Sequence, residues 1–167
     1  MPVSSLPNRP RVPEIHVTVA AVIEREGRFL LVEERCQGLL VLNQPAGHLE
    51  PNESFLEAVA RETREETGYG FSPESLIGIY HWQNEAHDTF VRFAFTGKFT
   101  APTGPVKLDT GIVAVHWLTS AQILAREHDL RSPTVRSCID DYLAGVRHPL
   151  DLVRYLGWAE AAKRATK

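Results

Sequence analysis

The feature that most constrains this chain is an acid-rich segment, GHLEPNESFLEAVARETREETGY, which runs from Gly47 to Tyr69 and contains six glutamates. Most of it has the composition of a helix. Glu62, Glu65 and Glu66 then lie on one helical face, because residues three and four apart are neighbours there. Like charges at these spacings destabilise an isolated helix by about 0.2–0.5 kcal/mol per pair. A fold that keeps them together needs a compensating interaction.

The apolar side chains of the segment form a separate face of the predicted helix. Asn52 is the predicted N-cap, Glu53 favours the first turn, and Gly68 ends the helix. We expect the buried stripe to consist of Leu56, Val59, Ala60, Thr63 and Thr67. The three glutamates point away from this stripe, and apart from Arg64 no cation lies at a spacing that relieves their repulsion.

Runs of β-branched and aromatic residues predict strands on both sides of this helix. IHVTVAAVI (Ile15 to Ile23) and RFLLVEER are expected to form a hairpin across the turn EREG, and LLVLNQPAG begins as a short strand that breaks at Pro45. SLIGIYHW and TFVRFAFTGKF are expected to pair antiparallel across a loop that contains Asp88, and GIVAVHWLT is a further strand.

Helical patterns follow the last strand. A short helix is expected from Ser120, and another has Ser132 as its N-cap, Pro133 at its first position and Gly145 at its end. The chain is expected to be helical again from His148.

The predicted order of elements and the length of 167 residues indicate one α/β domain. Its architecture is expected to be an α/β/α sandwich with a mixed central sheet. We predict three parts: a mobile N-terminal tail over residues 1–14, the main folded domain over 15–147, and a C-terminal helical extension over 148–167.

Composition excludes several functional classes. A net charge of −3 gives no sign of the basic stripe that a stable nucleic-acid complex needs. No apolar run is long enough to cross a membrane, and the proline-rich opening MPVSSLPNRPRVPE does not resemble a signal peptide. Cys36 and Cys138 lack zinc-ligand spacing, so two buried, reduced thiols and a cytoplasmic location are expected. The sequence does not indicate an oligomeric state.

The glutamate face is explained in one of two ways. It is either a solvated surface or a metal site, and the nearby break at PAG, which exposes carbonyl groups beside the start of the helix, favours the metal site. Carboxylate and carbonyl oxygens suit Mg²⁺, Mn²⁺ or Ca²⁺. The segment contains no aspartate and therefore no EF-hand loop, so catalytic Mg²⁺ fits best.

At this point the segment resembles the signature of the Nudix hydrolase family, GX5EX7REUXEEXGU, in which U is a bulky aliphatic residue. The matching positions are Gly47, Glu53 and the run Arg61-Glu62-Thr63-Arg64-Glu65-Glu66-Thr67-Gly68-Tyr69. Thr63 stands where an aliphatic residue is usual and Tyr69 takes the last apolar position, and both are packing positions. The resemblance implies the Nudix fold and metal-dependent hydrolysis of a nucleoside diphosphate linked to another group.

Shorter motifs extend the resemblance to the NudJ branch of the family. They are LNQPAGHLE, the segment around Arg92, LRSP, and the spacing of Trp117. This branch implies a Mg²⁺-dependent phosphohydrolase, with Mn²⁺ as a substitute, that releases orthophosphate stepwise from nucleoside tri- and diphosphates. It also implies activity on hydroxymethylpyrimidine pyrophosphate.

The resemblance assigns roles to the matching residues. Glu65 and Glu66 would bind the metal together with the backbone carbonyl of Ala46. Glu62 would act as a further ligand or as the base that orients the attacking water. Glu53 would support the cluster from beside the start of the helix, and Arg61 would orient the carboxylates through charge-assisted hydrogen bonds.

Charged residues outside the segment have two interpretations each. Asp109 either completes the metal site or caps a loop. Arg92 shares a strand face with Phe90 and Ala94, so it either contacts phosphate or extends to solvent. Arg35 is a weaker phosphate candidate. Arg131 either contacts substrate or packs at the start of a helix.

Aromatic side chains are the candidates for contact with the rest of the substrate. Trp82 and Tyr80 either stack on a base or belong to the core. His48 either lines the site or is an ordinary polar loop residue.

Two alternatives to the NudJ-like function remain open from sequence. One is hydrolysis of another nucleoside-diphosphate derivative, such as a dinucleotide or a nucleotide sugar. The other is a non-catalytic Nudix domain that senses a nucleotide. All five charged residues of the signature are present, which favours an enzyme that hydrolyses phosphorus-containing acid anhydrides and takes a small-molecule nucleotide or pyrophosphate as its partner.

Overall fold

A computed structural model describes residues 11–157, and these form eight β-strands, three α-helices and two 3₁₀ turns. The strands are β1 (Ile15–Ala21), β2 (Glu24–Arg25), β3 (Arg28–Cys36), β4 (Leu39–Asn43), β5 (Ala46–His48), β6 (Gly70–Gln83), β7 (Thr89–Thr100) and β8 (Ile112–Thr119). The helices are α1 (Phe55–Thr67), α2 (Ser120–Ala125) and α3 (Pro133–Leu143), and the 3₁₀ turns are Glu127–Asp129 and Leu150–Leu152.

The strands form two four-stranded sheets. The mixed sheet has the order β5-β1-β7-β6, in which β1 runs parallel to β7 and the other neighbours are antiparallel. In the second sheet β3 pairs antiparallel with β2, β4 and β8. The predicted α/β class with a mixed sheet is therefore confirmed, and the remaining strands form the second sheet beside it.

The predicted hairpin between β1 and β3 is wrong. β1 pairs with β5 and β7, and the hairpin that turns at Glu26 and Gly27 joins the short β2 to β3. Val22 still donates its N–H to Phe95 of the mixed sheet at 2.8 Å, whereas the carbonyl of Ile23 accepts from Leu30 of the second sheet at 2.9 Å. The chain therefore changes sheets between Val22 and Ile23, inside one uninterrupted apolar run.

Helices cover both faces of the mixed sheet. Phe95 of β7 packs with Ala58 and Val59 of α1, whereas its neighbour Ala94 packs with Ile139 of α3. Adjacent strand residues point to opposite faces, so the alternation produces an α/β/α layering.

The start of α1 differs from the prediction. Ser54 is the N-cap, and its hydroxyl accepts from the N–H of Glu57 while the Glu57 carboxylate accepts from the N–H of Ser54. Asn52 lies in the preceding turn with a φ of +67°, and Glu53 also precedes the helix. The capping box S-x-x-E is therefore the signal that defines this helix start. Gly68 ends the helix as predicted, with a φ of +75°.

The buried face of α1 also differs from the prediction. Ala58, Val59, Thr63 and Thr67 are buried, and so is Glu66, which is 8% exposed. Leu56 and Ala60 are half-buried. Glu66 thus belongs to the inner face of the helix and does not point away from it.

Several predicted elements are confirmed. β6 and β7 pair antiparallel across the loop with Asp88, although β6 begins earlier, at Gly70. α2 begins at Ser120, Pro133 is the first residue of α3, and Gly145 follows the end of α3 with a φ of +80°.

The chain after α3 is not the predicted helix where it is described. His148 forms an isolated bridge with Leu76, one 3₁₀ turn follows, and residues 153–157 are irregular. The rest of the predicted extension (158–167) and most of the predicted tail (1–10) lie outside the described residues. Cys138 is buried as expected, whereas Cys36 is only half-buried. Within residues 11–157, no helix has the length and hydropathy needed to cross a bilayer.

Candidate active site

A cavity of about 820 Å³ is lined by both sheets, by α1 and by the first turn of α3. Among the residues that line it are four acidic side chains, two arginines and two large aromatic side chains: Glu34, Glu62, Glu66, Asp109, Arg92, Arg131, Trp82 and Phe90. The carboxylates of Glu34, Glu62, Glu66 and Asp109 form the carboxylate region of the cavity, and Arg92 and Arg131 supply its positive charges.

Glu66 anchors the carboxylate region. Its Oε2 accepts the N–H of Ala46 at 2.9 Å. Burial raises the pKa of Glu66 to about 8, and the nearby carboxylates Glu62, Glu34 and Asp109 also raise it. The Ala46 hydrogen bond opposes this shift. A buried carboxylate with so little compensation favours a bound cation.

Glu62 fits against the backbone of β5. A Cβ atom built on Gly47 would overlap the Glu62 carboxylate, so glycine is required for this contact. Burial raises the pKa of Glu62, while Arg61 lowers it. Glu62 is thus held against β5 by a close approach that any side chain at Gly47 would block.

Arg61 connects the glutamates on both sides of the helix start. Its Nε and Nη2 donate to the two carboxylate oxygens of Glu53 at 3.0 and 2.8 Å. Its Nη1 donates to Glu62 at 2.7 Å and to Glu65 at 3.2 Å, and Nη2 also donates to the carbonyl of His48 at 3.0 Å. The two bonds from Arg61 to Glu53 lower the pKa of Glu53. The expectation that, apart from Arg64, no cation lies at a spacing that relieves the glutamate repulsion is therefore wrong. Arg61 pairs with the adjacent Glu62 and, four residues on, with Glu65.

Glu65 and Asp109 lie at the edge of the carboxylate region. The Glu65 side chain is 45% exposed, pairs with Arg61 and does not line the cavity. Its carbonyl accepts the N–H of Asp109 at 3.0 Å. The Asp109 carboxylate accepts from Thr110 at 2.7 Å and also lines the cavity. Asp109 is therefore both a loop cap and a neighbour of the glutamates.

Arg92 does not extend to solvent. It is 8% exposed, lines the cavity and donates from Nη1 to Oε1 of Gln44 at 3.1 Å. Gln44 in turn donates to the carbonyl of Val135 in α3 at 2.8 Å. Burial lowers the pKa of Arg92. Sequence reasoning missed Gln44, which appeared only as part of the LNQPAGHLE motif.

The aromatic candidates lie in different environments in the structure. Trp82 lines the cavity beside Phe90, with ring centroids 5.3 Å apart. Tyr80 instead packs against the core and donates to Asp141 of α3 at 2.7 Å. His48 lines the cavity, contacts His16 at 3.2 Å, and has its pKa lowered by burial.

Of the two remaining arginine candidates, only Arg131 lies at the cavity. Arg35 is exposed and does not line the cavity, because it alternates with the cavity-lining residues Glu34 and Cys36 on β3. Arg131 lines the cavity and contacts the Cys36 sulfur.

The second sheet contributes two polar residues that sequence reasoning missed. Glu34 accepts from the Asn43 amide at 3.1 Å, and both line the cavity. Glu34 and Asn43 lie in segments whose sequence patterns are those of ordinary strands, so neither stands out. They come together only because β3 pairs with β4.

Comparison with known proteins agrees with this geometry. The family model described as "NUDIX domain" matches residues 14–138. The chain belongs to the Nudix family. It is a NudJ-like Nudix phosphohydrolase, a hydrolase of phosphate anhydrides.

Individual Nudix proteins show the extent of the similarity. The phosphatase NudJ of Escherichia coli (strain K12) is 41% identical over 145 residues, which cover 86% of this chain and 93% of that protein. The structure of a Nudix hydrolase from Nitrosomonas europaea is 49% identical, with a TM-score of 0.83 and coverage of 86% and 98% of the two chains. A MutT protein from Methanosarcina mazei Go1 is 26% identical, with a TM-score of 0.65 and coverage of 80% and 96%.

Nudix hydrolases use divalent metals, and the residues of the carboxylate region fit such an ion. In residues 11–157, no three His, Cys, Asp or Glu side chains converge closely enough to form a metal site as they stand. Arg61 occupies oxygens of Glu62 and Glu65 in this arrangement. The oxygen donors are nevertheless those that a hard cation prefers, and the Ala46 N–H offsets the burial of the Glu66 carboxylate only in part.

Proposed function

We propose that this Nudix hydrolase is a Mg²⁺-dependent phosphohydrolase that releases orthophosphate from nucleoside tri- and diphosphates. Mn²⁺ would substitute for Mg²⁺, and hydroxymethylpyrimidine pyrophosphate would be a second substrate. The observation that carries the proposal is that buried Glu66 and buried Arg92 line the same cavity. Such a cavity can hold a phosphate chain between a metal ion and a fixed cation. The expected cytoplasmic location rests on composition alone and remains part of the proposal.

The carboxylate region would hold the metal. Glu65, Glu66 and the carbonyl of Ala46 would supply its protein ligands, with Glu62 and Asp109 beside them. The bound metal would neutralise phosphate oxygens and lower the pKa of water.

The other residues of the region would have supporting roles. Arg61, fixed by its two bonds to Glu53, would orient Glu62 and Glu65. Glu62 would orient the attacking water and accept its proton, because a carboxylate whose pKa is raised by burial is a better base near neutral pH. Asp109 is the alternative base.

The positively charged wall of the cavity would bind the substrate. Arg92 would contact phosphate oxygens, and Trp82 would stack on the base or pyrimidine ring, with His48 at its side. Arg35, which points elsewhere, is left without a role in this proposal.

The test is hydrolysis of GTP with Mg²⁺, with the products followed by phosphorus NMR. Successive formation of orthophosphate with GDP and then GMP is the expected result. Direct formation of pyrophosphate and GMP would contradict the proposed position of attack while leaving the metal site intact. Turnover of a dinucleotide or a nucleotide sugar in place of GTP would favour the first alternative.

Glu65→Gln separates an enzyme from a sensor. We expect this variant to lose hydrolysis while it still binds nucleotide, because it removes a metal-binding charge. If neither form hydrolyses any diphosphate and both bind nucleotide equally, the non-catalytic sensing function would replace the proposal.

A further inference from the structure

Within residues 11–157, no carboxylate lies at contact distance from the Arg92 guanidinium to neutralise its charge. Among the described residues the guanidinium donates a hydrogen bond to Gln44, and the carboxylates Glu34 and Glu66 act on it only through space. A guanidinium has five N–H donors. A buried cation with this few acceptors is costly unless a ligand completes its surroundings.

Gln44 holds this guanidinium in one orientation. Its carbonyl oxygen accepts from Arg92, and its amide donates to the carbonyl of Val135, so the two groups of the amide are used at once. Gln44 thus links Arg92, which lines the cavity, to the first turn of α3.

The same turn of α3 presents hydroxyl groups to the cavity. Ser132 and Thr134 line it, are 8% and 7% exposed, and share one hydrogen bond of 2.7 Å. One of the two hydroxyl hydrogens is therefore left without an acceptor among the described residues. The Ser132 side chain does not cap α3. Arg131 immediately before it adds a second positive charge to the same wall.

We propose that Arg92, Arg131, Ser132 and Thr134 form an anion site that binds a terminal phosphate group of the substrate, distinct from the carboxylate region. Gln44 is the positioning residue of this site. The inference rests on the proposed function, because it assigns the phosphate that such an enzyme would release.

A terminal phosphate fits this wall better than an internal one. A phosphate monoester end has three unsubstituted oxygens, which can accept from two guanidinium groups and a hydroxyl. In a dinucleotide or a nucleotide sugar, every phosphorus carries a further substituent, which would have to enter a wall in which Arg92, Ser132 and Thr134 are buried. The site therefore selects nucleoside di- and triphosphates over capped diphosphates.

The first experiment measures binding of inorganic phosphate to the metal-free protein by broadening of the phosphate signal in phosphorus NMR. Arg131→Gln changes an exposed side chain and is expected to fold normally. Arg92→Met tests the buried cation. Arg154→Gln is the matched control, because Arg154 is exposed and does not line the cavity.

We expect Arg131→Gln and Arg92→Met each to weaken phosphate binding by about tenfold or more, the loss of one charge-assisted contact, and Arg154→Gln to leave it unchanged. Equal binding by wild type, Arg131→Gln and Arg154→Gln would overturn the site even if Arg92→Met failed to fold. Absence of phosphate binding to the wild type would also overturn it.

The second experiment compares kcat/KM for GTP and for GTP methylated on its terminal phosphate. We expect wild type to prefer GTP and Arg131→Gln to lose most of this preference, whereas equal rates for the two compounds in wild type would overturn the selectivity. Phosphate binding in a protein that hydrolyses neither compound would leave the anion site standing and overturn the proposed function.

Discussion

At the scale of single residues, Gly47 determines where the Glu62 carboxylate can lie. Gly47→Ala would place a Cβ atom on that carboxylate, and the flexible end of Glu62 would move to make room. We expect kcat to fall by about 10²-fold, as for a misplaced catalytic group, with little change in stability. Steady-state kinetics and urea unfolding together test this prediction.

Two other glycines provide the controls. A Cβ on Gly104 meets nothing within 4 Å, so Gly104→Ala should change neither activity nor stability. A Cβ on Gly97 would meet the backbone of Ser72, so Gly97→Ala should cost stability. Full activity in folded Gly47→Ala would show that Glu62 need not occupy the position seen here.

Glu66 predicts how stability depends on pH without metal. Its pKa is about 8 in the folded protein against an ordinary value of 4.5, so its charge costs stability progressively as pH rises from 4.5 towards 8. Glu66→Gln keeps an acceptor for the Ala46 N–H and removes this charge. We expect the metal-free variant to melt at a higher temperature than wild type above pH 8.

The same variant should lose its response to metal. Mg²⁺ should raise the melting temperature of wild type, since a ligand that binds only the folded state stabilises it, and should leave Glu66→Gln nearly unchanged. Glu74→Gln is the control, because Glu74 forms only an exposed pair with Lys98. An equal Mg²⁺ shift in all three proteins would argue against Glu66 as a metal ligand.

Residue identities were easier to predict than residue environments. Spacing alone identifies the signature positions, and Thr63 is unusual among them because an aliphatic residue is usual there. The structure shows why it is tolerated, because its buried hydroxyl donates to the carbonyl of Val59 at 2.7 Å. The reach of Arg61 to Glu53 could not be predicted, because it depends on how the turn before α1 folds back.

At the scale of elements, the start of α1 depends on its capping box. Ser54→Ala should lower the free energy of unfolding by about 1 kcal/mol, the usual cost of losing such a cap. Asn52→Gly should be close to neutral, because glycine readily adopts the φ of +67° found there. Urea unfolding of both variants decides which residue is the cap.

The loop between β6 and β7 has its own acidic anchor. Asp88 accepts from the Arg11 side chain, the Glu14 N–H and the Asn84 amide, and its pKa falls to about 2, mainly through Arg11. A carboxylate with a lowered pKa stabilises the fold above its ordinary value of 3.8, and this contribution is lost as pH falls towards 2.

Asp88→Asn should therefore be less stable than wild type at pH 7, and the difference should disappear as pH approaches 2. Urea midpoints across this range measure it. Asp151→Asn, at an exposed position, should show no difference at any pH. A constant deficit in Asp88→Asn would mean that packing, and not the charge, makes this aspartate important.

Secondary-structure elements are predicted best where one apolar run belongs to a single sheet or helix. β7, α2 and α3 were found from periodicity and end signals. The run from Ile15 to Ile23 gave the wrong hairpin. It belongs to the mixed sheet as far as Val22 and to the second sheet from Ile23 onward. Composition is the same on both sides of this change, so only the pairing partners reveal it.

At the scale of the whole molecule, the cavity draws on segments far apart in sequence. Gln44, Arg92 and Val135 form one chain of hydrogen bonds across the domain. Sequence spacing cannot indicate such a chain, because each link is fixed by tertiary packing. The carboxylate region was predictable for the opposite reason, since one helix turn and its flanks supply most of it.

The parallel pairing of β1 with β7 has a consequence for how the protein is made. Ile15 lies opposite Thr89, so the central pair of the mixed sheet joins segments separated by most of the domain. A ribosome completes β1 and the whole signature helix well before β7 exists. β5 is available early to pair with one edge of β1, but the other edge of this apolar strand must stay unpaired until β7 has been made. Such long-range pairing makes folding slow and exposes the chain to aggregation.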